Sequence, residues 1–244
     1  MIHSSFHAEH LLPDPDAVIF DMDGVIIDSH PAHRRAWRLF LETMGKDVSE
    51  RDLAFILDGH KRNEILRHFL GKLSDAEVVR YGELKDDFFQ RAFLEVKPVS
   101  GILQFLQHLR LKGKVLGLAT SASAGRTFST LDRMGIRQHF RAIVTAGDVT
   151  QGKPDPAVYR LAHQRLHIDS GNVLVFEDAV AGIHAARHAG LRCAGVASPP
   201  LAEGLLSAGA EFVVENFTGL SLSRLKTAPP LGGSGEESLK PYID

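Results

Sequence analysis

Only one cysteine, Cys193, occurs in 244 residues, which excludes an internal disulfide framework and fits a reducing compartment. It sits in the apolar stretch CAGVA and reads as a core residue. A surplus of basic charge is also missing: 28 Lys and Arg face 30 Asp and Glu, for a formal net charge of -2. That balance offers no broad positive face for nucleic acid or an anionic membrane, so a small-molecule partner and a monomer are expected. No stretch approaches the roughly 18 consecutive apolar residues of a membrane helix. The opening residues MIHSSFHAEHLLPDPD lack a basic region followed by an apolar run, so neither a signal peptide nor a span is expected and the default location is cytoplasmic. Internal repeats are absent. His3, His7 and His10 fall in this polar segment with nothing nearby to order them, and they receive no role.

What is present is an ordinary globular composition, 44% hydrophobic, enough for one large core or a core plus a smaller domain. Its most pointed stretch is AVIFDMDGVIIDS, residues 17–29, where an apolar run breaks into Asp21, Asp23 and Gly24. Side chains two apart on a strand share a face, so the two acids are expected to aim at one point beyond the sheet edge. Gly24 then permits a sharp turn. Two carboxylates so close repel, and either one keeps a proton or a cation lies between them. Alone, the string favours the plainer reading of a strand end followed by an Asp-Gly turn.

From Ser29 to Lys97 helical periodicity takes over without a clear strand. Pro31 opens a helix carrying Trp37, Phe40, Leu41 and Met44 at i, i+3, i+4 and i+7, which Gly45 ends. Ser49 with Asp52, then Ile65, Leu66, Phe69 and Leu70, then the capping pair Ser74 and Glu77 mark three more helices before Pro98. An all-helical insertion placed there would cover the carboxyl end of the first strand as a lid. After Pro98 helices alternate with strands near KVLGLAT, AIVTA, NVLVF, CAGVA and EFVVE. That rhythm predicts an α/β fold, a Rossmann-like doubly wound parallel sheet with an inserted helical cap. The expected divisions are a tail over 1–16, a core from 17–29 and 99–226, a cap over 30–98, and a Pro/Gly/Ser-rich flexible tail over 227–244.

In such sheets ligands bind outside the carboxyl ends of the strands. The strand endings collect Asp21, Asp23, Thr120, Ser121, Glu177 and Asp178, with Lys153 in the loop GKPDP. Singly, Lys153 reads as a solvated lysine, Ser121 as a helix cap, and Glu177-Asp178 as acids favouring a helix dipole. Jointly and in order, DMDGVIIDS, SAS, GKPDPAVY and VFEDAVAGI resemble the haloacid dehalogenase superfamily of phosphotransferases, in the branch with a helical cap after the first motif. The likeness spans roughly residues 17 to 220. It implies Asp21 as nucleophile toward a phosphate ester and Asp23 as general acid and base. It also implies Mg²⁺ held by Asp21, Glu177, Asp178 and the backbone carbonyl of Asp23, a cation suited to hard oxygen donors. Lys153 would neutralise the nucleophile and phosphate, while Ser121 and the neighbouring amide of Ala122 would hold a phosphoryl oxygen.

HRRAW at 33–37 and DGHKR at 58–62 resemble the sugar-phosphate members, which implies substrate contacts from His33, Trp37 and Arg62. Trp37 also lies on its helix's apolar stripe and reads equally as core. In an ungapped register the cap cation of the mutases falls near Glu83, and the lysine after SAS is replaced by Ala124. Fewer cations to face a second phosphate favour a Mg²⁺-dependent sugar-phosphate phosphatase. The alternative is a mutase interconverting β-glucose 1-phosphate and glucose 6-phosphate. A non-catalytic binding protein of the same fold would be expected to lose its acids, and Asp21, Asp23, Lys153 and Asp178 are intact.

Overall fold

The computed structural model describes residues 13–57, 62–92 and 96–222. His3, His7 and His10, residues 58–61 of the DGHKR segment, and the 227–244 tail lie outside the described residues.

The chain starts with β1 (Ala17–Phe20) and β2 (Ile27–Asp28), then runs through α1 (His30–Thr43), α2 (Glu50–Leu57), α3 (Arg62–Leu70) and α4 (Asp75–Ala92). It returns through β3 (Lys97–Pro98), α5 (Ile102–Leu111), β4 (Val115–Ala119), α6 (Ala124–Arg133) and β5 (Ala142–Val144). The last part is α7 (Ala157–Leu166), β6 (Val173–Glu177), α8 (Val180–His188), β7 (Arg192–Val196), α9 (Pro199–Ser207) and β8 (Val213–Val214). Six strands form one parallel sheet in the order β5-β4-β1-β6-β7-β8. From β1 the chain winds outward through β4 and β5, then crosses back to β6 on the other side of β1. The order therefore reverses between β1 and β6, and a crevice opens at their carboxyl ends.

Alternation along the strands supplies both faces of the sheet. Val18, Phe20, Leu116, Leu118, Leu174 and Phe176 join one core beneath α5, while Ala17, Ile19, Val173, Val175 and Cys193 join the other beneath α7 and α8. Burial on both sides explains the unbroken apolar runs. The helical block has its own core of Trp37, Phe40, Leu41, Leu53, Ile56, Ile65 and Leu66. It leaves and rejoins the sheet through an antiparallel ribbon, Ile27 paired with Pro98 and Asp28 with Lys97. The two capping pairs act as expected: Asp52 accepts from the Ser49 backbone N–H at 2.8 Å, and Glu77 from that of Ser74 at 2.8 Å.

Two features depart from the sequence reading. Residues 13–16 are bonded to the core: Asp16 N–H donates to the Asn172 carbonyl at 2.8 Å, Lys114 to Asp14 at 2.7 Å and Arg192 to the Pro13 carbonyl at 2.7 Å. These contacts tie residues 13–16, which the sequence reading assigns to a tail, to the core, and no composition signal announces them. Helix α9 was also unanticipated. Its Pro199-Pro200 start resembles a turn, yet proline is tolerated in a first helical turn, where its missing N–H costs nothing.

Phe105 on α5 is 2% exposed and meets the rings of Phe217, Phe176 and Phe20 at 5.2, 5.8 and 6.3 Å. Phe105→Ala should cost about 3–5 kcal/mol in urea unfolding. A loss under about 1 kcal/mol would show that the cluster does not carry the core.

Candidate active site

The carboxyl ends of β1 and β6 are locked side by side, since Asp21 N–H donates to the Phe176 carbonyl at 3.0 Å. Asp21 and Glu177 are thereby neighbours, and Lys153 reaches both, donating to Asp21 Oδ1 at 2.6 Å and to Glu177 Oε1 at 2.5 Å. Tyr159 O–H also donates to Glu177 Oε1, at 3.1 Å, while the backbone N–H groups of Asp178 and Ala179 donate to Oε2 at 2.7 and 2.8 Å. Both oxygens of Glu177 are thus held by protein donors. Burial pushes this carboxyl up, but Lys153 and these hydrogen bonds bring it below its usual range. Asp21 goes the other way. Burial raises it well above the carboxylate range, Lys153 opposes only in part, and Glu177, Asp178 and Asp23 add repulsion. Burial likewise raises Asp178 to about 6 against the pull of His30, whose Nε2 lies 2.9 Å from Asp178 Oδ2. That contact holds the His30 imidazole above its usual value.

Two glycines make room for these acids. A Cβ on Gly24, at φ +73°, would lie 2.0 Å from Asp178 Oδ2, and one on Gly182 would lie 1.8 Å from Glu177 Oε1. Neither position accepts a side chain without moving a carboxylate.

Asp23 is oriented differently from the sequence expectation. Its carboxylate accepts two hydrogen bonds from Arg126, at 2.8 and 2.5 Å, and one from Ser29 at 2.6 Å, with His33 Nε2 at 3.5 Å. Burial would raise it, but Arg126 and His33 hold it well below the carboxylate range. The reason is backbone geometry: β1 ends at Phe20, and residues 21–24 already turn, so the two-residue alternation no longer aligns Asp21 with Asp23. The carboxylates that share one point are Asp21, Glu177 and Asp178, whose nearest oxygens lie within 4.8 Å of one another. As a side-chain ligand Asp23 is not part of this group, which leaves only its backbone carbonyl for that role.

Ser121 lies exposed in the loop after β4, whereas Ala122 is buried. The Ala122 N–H donates to Thr120 Oγ1 at 3.1 Å, so this amide, expected to hold a phosphoryl oxygen, already has an acceptor. His33 projects from α1 between core and insertion, stacked at 4.2 Å on Phe89, with Lys85 Nζ 3.3 Å from its Nδ1. Burial and Lys85 lower this imidazole to about 4. Trp37 is 4% exposed in the insertion's core, which fits its apolar-stripe reading. Arg62 pairs with Asp86 at 2.7 Å on the insertion's surface.

Two cations that the ungapped register did not select lie beside His33 and Asp23. Lys85, two residues from the position the ungapped register selected, is 4% exposed and lies 5.4 Å from the Trp37 ring and 5.0 Å from that of Phe89. Burial lowers its ammonium to about 8. Arg126 approaches the same Phe89 ring at 5.1 Å from the core side. Helical periodicity shows which face of α4 is buried, but without a fixed register it did not select Lys85. Arg126, Tyr159 and His30 were missed altogether. A signal existed for His30: His30 and His33 are three apart at a helix start and share a face.

A group of three carboxylates, only two of them bonded by Lys153, fits a hard divalent cation, which would relieve the repulsion that raises Asp21 and Asp178. Among the described residues no helix is long and apolar enough to cross a membrane.

A family model described as haloacid dehalogenase-like hydrolase matches residues 18–196. The chain is 35% identical over 207 residues to a phosphorylated carbohydrates phosphatase of Thermotoga maritima, covering 82% of this chain and 94% of the relative. It is 32% identical over 219 residues to a β-phosphoglucomutase of Bacillus subtilis, covering 86% and 93%. The crystal structure of β-phosphoglucomutase from Clostridium difficile superposes with a TM-score of 0.74 at 28% identity, over 85% of this chain and 93% of that one.

Without a cation, Asp178 titrates near 6 in the folded chain against an ordinary 3.8. Between those values the folded state keeps a proton that the unfolded state has released, so this group's stabilisation is full at low pH and is lost as pH rises through 6. The difference is about 3 kcal/mol. In chelator, the wild type should therefore lose roughly that much stability from pH 4 to 7 relative to Asp178→Asn, measured by urea unfolding. Parallel pH profiles for the two proteins would contradict the burial of an unneutralised acid.

Proposed function

The chain belongs to the haloacid dehalogenase-like hydrolases, and on that footing we propose that it is a Mg²⁺-dependent phosphatase of small phosphorylated metabolites, sugar phosphates above all. The observation that carries this reading is the convergence of Asp21, Lys153 and Asp178 at the reversal point of the sheet.

In the proposed reaction an oxygen of Asp21 attacks phosphorus as the bond to the leaving oxygen breaks, giving an aspartyl-phosphate. Asp23 protonates the leaving oxygen, then takes a proton from water as the water oxygen attacks phosphorus and the bond to Asp21 breaks. Lys153 keeps Asp21 aligned and offsets the charge that gathers on the phosphoryl oxygens. Mg²⁺, held by Asp21 and Asp178 with Glu177 beside them, would screen the repulsion between a carboxylate and a phosphate dianion. In the ion pair with Arg126, Asp23 has no proton to give. Its role as acid requires the carboxylate to leave that pair and turn toward the phosphoryl group.

One observation favours a second reading. Lys85 and Arg126 both rest on the Phe89 ring, Arg126 paired with Asp23 and Lys85 beside His33, and two cations there suit a substrate or intermediate with a second phosphate, as a phosphomutase requires. The share of identity with the Thermotoga phosphatase keeps hydrolysis as the first reading.

Asp21→Asn should lower turnover by at least about 1,000-fold while leaving the circular dichroism spectrum unchanged, and full residual activity would remove Asp21 as nucleophile. Phosphorus NMR with Mg²⁺ and a panel of sugar phosphates, primed with a trace of bisphosphate, separates the two readings. Inorganic phosphate is the expected product, and glucose 6-phosphate formed from β-glucose 1-phosphate without free phosphate would make the chain a mutase. Excess chelator should abolish either reaction, and undiminished turnover in chelator would refute the metal requirement.

A further inference from the structure

We propose that His30 is a positioning residue for the divalent-cation site, fixing the Asp178 carboxylate from the first residue of the helical insertion. The inference rests on the reading of the acidic group as a Mg²⁺ site.

The division of hydrogen-bond donors among the acids motivates it. Lys153, the buried cation of the core, bonds to Asp21 and Glu177. The ion-pair partner of Asp178 comes instead from the insertion: His30 Nε2, the first residue of α1, lies 2.9 Å from Oδ2. The same oxygen also lies close to the Gly24 backbone. A Cβ on Gly24 would stand 2.0 Å from Oδ2, so the backbone there presses closely on the carboxylate. Oδ2 thus has both the Gly24 backbone and the imidazole close by, and on this proposal Oδ1 is the oxygen offered to a cation. A carboxylate held through one oxygen presents the other in a fixed direction, and hydrogen-bonded supports of this kind are worth 10- to 100-fold in metal affinity at characterised sites.

The position of His30 adds a consequence. Ile27 and Asp28, two residues earlier, form the ribbon by which the insertion leaves the core. A movement of α1 that withdraws the imidazole would release Asp178. By reciprocity, a cation that favours the held carboxylate favours the placement of α1 that holds it. His33, one turn along the same helix face, makes the parallel approach to Asp23 at 3.5 Å, so two of the core's acids, Asp178 and Asp23, are met by imidazoles from α1.

The test is Mg²⁺ titration calorimetry on the full chain without substrate, for wild type, His30→Ala and His30→Gln, with thermal melting of all three in chelator. Weaker Mg²⁺ binding in His30→Ala, by about 10-fold or more, is expected, with most of the affinity returned by the amide donor of His30→Gln and little change in the metal-free melting temperatures. Hydrogen exchange should also show Mg²⁺-dependent protection of α1 in wild type that His30→Ala lacks. Affinity of His30→Ala within about twofold of wild type, or a folded His30→Gln as weak as His30→Ala, would overturn the positioning role. A wild type that takes up no Mg²⁺ would instead overturn the metal reading on which the inference rests. Should His30→Ala melt early, the comparison of His30→Gln with wild type carries the test.

Discussion

Three clustered carboxylates face a lysine that bonds only two of them, and most of the molecule is arranged around that imbalance. Lys153 binds Asp21 and Glu177, and burial with mutual repulsion still leaves Asp21 and Asp178 raised. Uncompensated acids in a low-dielectric site cost stability, so their retention points to what the site does when a cation and a phosphoryl group arrive. The strands explain how the cost is met. Central parallel strands buried on both faces supply the apolar enclosure, and the reversal of strand order between β1 and β6 opens the one edge where polar groups converge.

The second acid belongs to a different balance. Asp23 is paired with Arg126 of the core and approached by His33 of the insertion, with Phe89 of α4 as the ring on which His33, Lys85 and Arg126 all rest. Core and insertion therefore meet through these charged groups as well as through apolar contacts, since Ala32, Ala36, Phe89 and Ala92 join the sheet's own cluster, and a movement of the insertion would rearrange both. In the family-based mechanism that rearrangement would hand Asp23 from an ion pair to the reacting centre.

Most of the fold was legible because its signals are local. Continuous apolar runs ending in polar residues gave β1, β4 and β6 nearly to the residue, and Ser49-Asp52 and Ser74-Glu77 announced helix starts that the hydrogen bonds bear out. The acidic group was legible because strand ends in such sheets must converge. What remained hidden depends on register and long-range approach. Arg126 meets Asp23 across 103 positions of sequence, and Tyr159 meets Glu177 only because α7 packs on β4. Lys85 needed the rotation of α4 to within two residues, finer than periodicity alone provides. The alignment of Asp21 with Asp23 failed for a further reason: period-two reasoning was carried to Asp23, three residues past the end of the strand.

The most direct measurement of the central claim is mass spectrometry of acid-quenched Asp23→Asn enzyme after mixing with Mg²⁺ and an aryl phosphate, whose leaving group departs without a proton. With the base that activates water removed, the aspartyl-phosphate should accumulate, and the phosphoryl group should map to the peptide and residue of Asp21. A phosphoryl group on any other residue, or product released at the wild-type rate with Asp21 never modified, would contradict the account.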